Sequence, residues 1–112
     1  NEFFKLKDKE SVTGVFRGEV YEFHGAWVEG QGFVPGAGKS FRFRINFVTK
    51  DESGNYVAKI LEQGVTVYNQ LKDLHAEFNL PETVVKITRS GSGPSDTSYS
   101  ILPIKIARSR LL

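Results

Sequence analysis

The sequence predicts an all-β domain carrying a single helix, and three observations lead there. From Phe41 to Phe47 the residues alternate strictly, with Phe41, Phe43, Ile45 and Phe47 set against Arg42, Arg44 and Asn46. Side chains on a strand point to opposite faces in turn, so one face is apolar and the other carries two guanidiniums and an amide. Only one segment has apolar residues at helical spacing, Val67, Leu71, Leu74 and Phe78 within Thr66–Phe78. Everything else reads as short strands separated by glycine, serine and asparagine turns.

Element by element, Asn1 to Glu10 is polar and charged apart from Phe3, Phe4 and Leu6 and reads as an N-terminal arm or edge segment. Ser11 to Phe23 is β-rich. Val15, Arg17, Glu19, Tyr21 and Phe23 share one face there, with Val12, Phe16 and Val20 broadly on the other. Gly14 and Gly18 interrupt that run, as expected where a strand bends or bulges. Ala26-Trp27-Val28 is either its continuation or a short second strand. Glu29 to Lys39 holds five residues that are glycine or proline and reads as a mobile loop, in which Phe33 has no evident core to enter. The alternating strand then runs from about Ser40 to Lys50.

Asp51-Glu52-Ser53-Gly54-Asn55 is a strong turn signal, and a strand follows over about Tyr56 to Glu62. The helix is expected from Thr66, as N-cap, to Phe78, and Asn79 and Pro81 stop it. Thr83–Arg89 and Thr97–Ala107 are the last strands, joined by the glycine–serine loop Ser90–Asp96. Five strands with one helix between the third and fourth is the order of the OB-fold, a small Greek-key barrel. On this reading residues 1–112 form one OB-fold domain. An SH3-like barrel would lack the helix, and a ferredoxin-like fold would need a second helix where the glycines of 29–39 forbid it.

Composition narrows the chemistry. A chain of 112 residues can bury about two-thirds of its unfolded surface as one domain. With no cysteine, disulfides, thiolate metal sites and cysteine nucleophiles are excluded. There is no methionine, the initiator included, which suggests a trimmed chain. No apolar run approaches the ~20 residues of a membrane span and no signal peptide is visible, so a cytoplasmic protein is expected. The net charge is only +2, but it is unevenly distributed. Residues 30–50, 83–95 and 97–112 hold lysines and arginines and no acid, whereas the acids fall in 1–29, 51–82 and at Asp96. Such segments can fold into one basic face.

The enzymatic motifs fail. Gly32 to Ser40 ends like a phosphate-binding loop, but the first glycine of G-x-x-x-x-G-K-[ST] falls on Phe33, and a strand follows instead of a helix. His24 and His75 lack partners at metal or triad spacing, and no carboxylate pair presents itself for acid–base work. No catalytic residue, metal or cofactor is expected.

The binding signals survive. Arg42 and Arg44 on a rigid strand suit phosphate contacts. Trp27 stands at the edge of the glycine-rich loop, Phe33 and Lys39 within it, and Tyr21 on the preceding strand. Arg89 and Tyr99 flank the Ser90–Asp96 loop. Basic groups for the backbone, interleaved with rings for the bases, are what single-stranded nucleic acid requires. Phe23 is assigned to packing and left out of this set.

Trp27 through Pro103 resembles the OB-fold single-stranded-DNA-binding proteins encoded by tailed phages and prophages. The matching elements are Arg42-Phe43-Arg44-Ile45-Asn46-Phe47-Val48, the strand Ala58-Lys59-Ile60-Leu61-Glu62 running into the helix, and Ile87-Thr88-Arg89-Ser90-Gly91-Ser92-Gly93 with Thr97-Ser98-Tyr99-Ser100-Ile101-Leu102-Pro103. The resemblance implies a protein of DNA replication or recombination that coats exposed strands in a bacterial host cell. It also implies that Arg42, Arg44, Arg89 and Tyr99 touch the ligand. Such proteins often carry cysteines in the loop corresponding to 29–39. This chain has none, so metal binding is not carried over. Many end in an acidic tail that recruits replication or recombination proteins. Here the last residues are Ile106-Ala107-Arg108-Ser109-Arg110-Leu111-Leu112, so that tail is absent or removed. Partner recruitment and homo-oligomer formation stay open. The competing expectations are an OB-type protein-interaction or phage structural module using the same aromatic face, and an RNA-binding relative.

Overall fold

A computed structural model describes residues 2–93 and 96–104. The strands are β1 (Ser11–Val28), β2 (Gly32–Pro35), β3 (Ser40–Lys50), β4 (Tyr56–Gln63), β5 (Val85–Ser90) and β6 (Ser98–Pro103). The helix α1 (Val65–Phe78) and a 3-10 turn, Leu80–Glu82, lie between β4 and β5. All six strands form one antiparallel, open sheet in the order β4-β3-β1-β5-β6, with β2 paired to the end of β1.

Among the described residues the count of five strands is thereby corrected to six, and the helix follows the fourth strand, not the third. The extra strand is β2, inside the segment expected to be a mobile loop. Its residues Gly32–Pro35 pair with Gly25–Val28 in antiparallel register. Alternation over four residues is too short to register as a strand without its partner.

β1 organises the sheet. Its first residues, Ser11–Gly14, pair with β5, and Val15 to Gly25 pair with β3. The pairing slips between Arg17 and Tyr21, at Gly18, whose φ of 82° suits glycine. This bulge bends β1, as the glycine spacing anticipated. The bend lets the inner faces of both halves of the sheet share one core. Phe16, Phe43, Phe47 and Leu61 meet Val85, Ile87 and Ile101 there, closed over by Val67 and Leu71 of α1 and by Leu80.

The helix begins two residues earlier than expected. Gly64, not Thr66, is the N-cap, with extended backbone and no side-chain hydrogen bond. Thr66 is exposed within the first turn. At the other end Asn79 adopts the left-handed conformation and its N–H donates to the His75 carbonyl, as the stop signal foretold. The Tyr68 hydroxyl donates to the Glu22 carboxylate at 2.6 Å, pinning α1 to β1. That hydrogen bond is the main reason the Tyr68 phenol is raised above its ordinary pKa. The turn between β3 and β4 is held by the Asp51 carboxylate, which accepts from the Ser53 and Asn55 N–H groups.

The N-terminal arm is ordered against the sheet. Phe4 N–H donates to the Ile60 carbonyl and Ile60 N–H to the Glu2 carbonyl, adding a short parallel bridge at the β4 edge. Further on, Lys9 N–H donates to the Arg89 carbonyl. The arm therefore runs from the β4 edge to β5. β6 ends at Pro103, and the expected continuation over 105–107, with the basic residues Lys105, Arg108 and Arg110, lies outside the described residues. Among the described residues no helix is long and apolar enough to cross a membrane.

Candidate nucleic-acid interface

Strand parity sorts β3 into two faces. Phe43 and Phe47 are 0% exposed and define the core side, so Arg42, Arg44 and Asn46 face outward. Pairing carries this outer face across the sheet. Tyr21 lies opposite Arg44 and Phe23 opposite Arg42, while Arg17 lies opposite Asn46. On the hairpin, Trp27 lies opposite Phe33. On the other side, Glu62 of β4 lies opposite Arg44. Residues far apart in sequence thus converge on one surface because antiparallel partners share a face.

The rings and cations on this surface touch. The Arg42 guanidinium lies 4.7 Å over the Phe33 ring, and that of Arg44 lies 5.0 Å from Phe23 and 5.4 Å from Phe3 of the arm. Tyr21 stacks on Phe23 at 5.4 Å, and Phe23 meets Phe33 edge-on at 6.0 Å. Phe33 lies directly over Gly25. A Cβ at residue 25 would collide with the Phe33 ring and with the Val34 carbonyl, so glycine is required for the ring to lie down. Phe33 therefore has a partner surface after all, one made of an arginine and another phenylalanine. The exposed ends of the cluster are Trp27, 73% exposed, and Tyr21, 60% exposed. Two large rings left to solvent on ordered strands are available for stacking.

Glu62 sets the electrostatics. Its carboxylate accepts a hydrogen bond from Arg44 Nε at 2.6 Å and lies 3.7 Å from Arg42 Nε. It serves Arg44 fully and Arg42 only through space, and among the described residues the buried Arg42 Nε has no hydrogen-bond partner. Two guanidiniums facing one carboxylate leave a local excess of positive charge. Free N–H groups on both remain for a further anion.

Of the residues singled out from sequence, Tyr21, Trp27, Phe33, Arg42 and Arg44 are brought together here. Lys39 is exposed in the turn between β2 and β3, beside this face. Arg89 and Tyr99 are not brought to it. They are paired with each other on β5 and β6 and share parity with the buried Ile87 and Ile101, so they sit at the end of the core face. The Arg89 guanidinium donates to the Leu6 carbonyl, to the Gly91 carbonyl at 3.1 Å and to the Thr97 hydroxyl at 3.2 Å. It ties the arm to the β5–β6 loop. Tyr99 is half-buried against the core.

Sequence reasoning passed over three members. Phe23 is buried at 8% exposure, as its packing role predicts, and that buried ring is also the floor of the cluster. Its signal was the two-residue spacing Tyr21, Phe23, Gly25, Trp27, which puts all four on one face. Phe3 and Glu62 had no local signal, because each reaches the site through pairing of β4. Among the described residues no group of histidines or carboxylates could hold a metal ion. No protein-family model, curated protein or solved structure matches this chain.

Proposed function

We propose that the outer face of β1, β2 and β3 binds single-stranded DNA with little sequence preference, as a protein that protects exposed strands in replication or recombination. The observation that carries this reading is the pair of exposed rings, Trp27 and Tyr21, flanking Arg42 and Arg44 on hydrogen-bonded strands. Guanidiniums meet the phosphates, and rings stack the bases whatever their identity. The fold supports the same reading. If β2 is counted as a hairpin inserted after β1, the remaining five strands with a helix after the third follow the OB order. In OB-folds the face of the second and third strands and the loop after the first bind oligonucleotides. Here those are β3, β4 and the segment holding Phe33 and Lys39.

The test is a titration with oligo(dT), an RNA oligomer of equal length and duplex DNA at two salt concentrations. Single-stranded DNA is expected to quench the fluorescence of Trp27, the only tryptophan. Trp27→Ala should cost about 1–3 kcal/mol of affinity. With Lys39, Arg42 and Arg44 each meeting a phosphate, the log–log salt slope should be about −2, from about −0.7 per contact. Equal binding of duplex and single strand would defeat the stacking mechanism. Equal binding of RNA would widen the ligand class.

Glu62 gives a second, signed prediction. A strand phosphate competes with this carboxylate for Arg44, so Glu62→Gln should tighten oligo(dT) binding. The gain should be about two- to fivefold, because a partly exposed ion pair is worth up to about 1 kcal/mol. Weaker binding by this variant would mean that Glu62 chiefly orients the arginines.

A further inference from the structure

Beyond Asn46 the outer face of β3 continues through Val48 to Lys50, and it ends in a cleft. This cleft has a volume of about 780 Å³ and is lined by Val15, Arg17, Val48, Lys50, Tyr56 and Val84, among others. It opens where β1 leaves β3 to pair with β5, so the two strand ends diverge around an apolar floor. Tyr56 lies directly opposite Lys50, on the face that also carries Arg42 and Arg44. Its ring is 72% exposed, and Lys50 Nζ lies 5.2 Å from the ring centroid. Arg17 is exposed on the same face. The Asp51 carboxylate, the nearest acid in the turn, is folded back onto the Ser53 and Asn55 N–H groups. Glu52 is exposed in that turn and is the one acid left there to oppose a phosphate.

We infer that this cleft is a second station for the same single strand, with a base against Tyr56 and phosphates against Lys50 and Arg17. The inference rests on the proposed function and extends its site along the whole length of β3. Arg44 to Lys50 is six residues, or about 20 Å at about 3.3 Å per residue. A strand lying along β3 leaves the Trp27 end, passes Arg42 and Arg44, crosses Asn46 and Arg17, and reaches Tyr56. One face of the Tyr56 ring is covered by Lys50, and the other is open to a base. The apolar floor of Val15 and Val48 excludes water from beneath the base, which strengthens the contact. A short oligomer held at Trp27 does not reach this station, and a long one does.

The experiment compares oligo(dT) of about 4 and about 16 nucleotides, the limits of the usual site size for such folds. Both are titrated against the wild type and Tyr56→Ala, with Trp27 quenching reporting the first station and fluorescence anisotropy of labelled DNA reporting total binding. The long oligomer is expected to lose at least about fivefold in affinity in the variant, the low end of one stacked base. The short one should bind Trp27 unchanged. Lys50→Gln should likewise reduce the salt slope for the long oligomer by about 0.7 and leave the short one unaffected. Unchanged affinity of Tyr56→Ala for the long oligomer, with Trp27 quenching intact, would overturn the second station and leave the first. Equal losses for both lengths would overturn it too, since Tyr56 would then act on the fold. Failure of the wild type to bind either oligomer would overturn the proposed function and this inference together.

Discussion

Phe43→Ala is expected to destabilise the fold by about 3–5 kcal/mol, the range for truncating a fully buried phenylalanine. Phe43 is 0% exposed and packs against the Tyr68 ring at 5.4 Å, so its removal leaves a cavity between β3 and α1. Against a total stability of about 5–15 kcal/mol for a domain of this size, that is a large share. Urea unfolding followed by far-UV circular dichroism is the suitable measurement. Tryptophan fluorescence is a poor reporter here, because Trp27 is already largely in water in the folded state. Asn46→Ala, on the exposed face of the same strand, should stay within about 0.5 kcal/mol of the wild type. Arg42 is not the right control, since it lies over Phe33 and beside Glu62 and is only partly exposed. If the Phe43 and Asn46 effects were reversed, the faces of β3 would be assigned backwards.

Arg89→Ala is expected to cost about 2–4 kcal/mol of stability and to leave oligo(dT) affinity within about twofold. Hydrogen bonds from a charged donor are worth about 1.5–3 kcal/mol each, and the Arg89 fork makes three that join the arm, β5 and the following loop. The Leu6 and Gly91 carbonyls and the Thr97 hydroxyl would lose this partner, and the arm would lose its tie to β5. Arg89→Lys should not restore the loss, because a single ammonium cannot meet acceptors spread around a planar fork. Hydrogen exchange at the Gly91 and Lys9 amides should accelerate in both variants. Normal stability with a large loss of DNA affinity would instead make Arg89 a ligand contact, as the family resemblance implies.

Most of the strands and the helix were legible because their patterns are local. Phe41 to Phe47 alternates at the strand period, and Val67, Leu71 and Leu74 follow the helical one. Asp51–Asn55 carries its own turn chemistry. The hairpin strand β2 was not legible. Gly30 and Gly32 announce a loop, and only pairing with Gly25–Val28 makes Gly32–Pro35 a strand. The N-cap was misplaced for a related reason. Thr66 has the right side chain, but β4 runs to Gln63 and leaves Gly64 as the junction residue.

The charge pattern shows where sequence order stops being informative. The segment 30–50 has no acid of its own, and on that basis Arg42 and Arg44 formed an unopposed basic stripe. Folding brings Glu62 from the next strand between them, because β4 pairs with β3 in a register that sets residue 62 opposite residue 44. The sequence by itself determined which sides of β1 and β3 are apolar and, to within two residues, where the helix lies, since both depend on neighbours within a few residues. It also put Arg42 and Arg44 on one face. Only the tertiary structure decided what else shares that face. Tyr21, Trp27 and Phe33 arrive there by pairing along β1, Glu62 by pairing with β4, and Phe3 by the arm bridging the sheet edge. Arg89 and Tyr99 are sent to the core side. Cross-strand register fixes each of these placements, and register depends on bulges and long-range partners that no local pattern encodes.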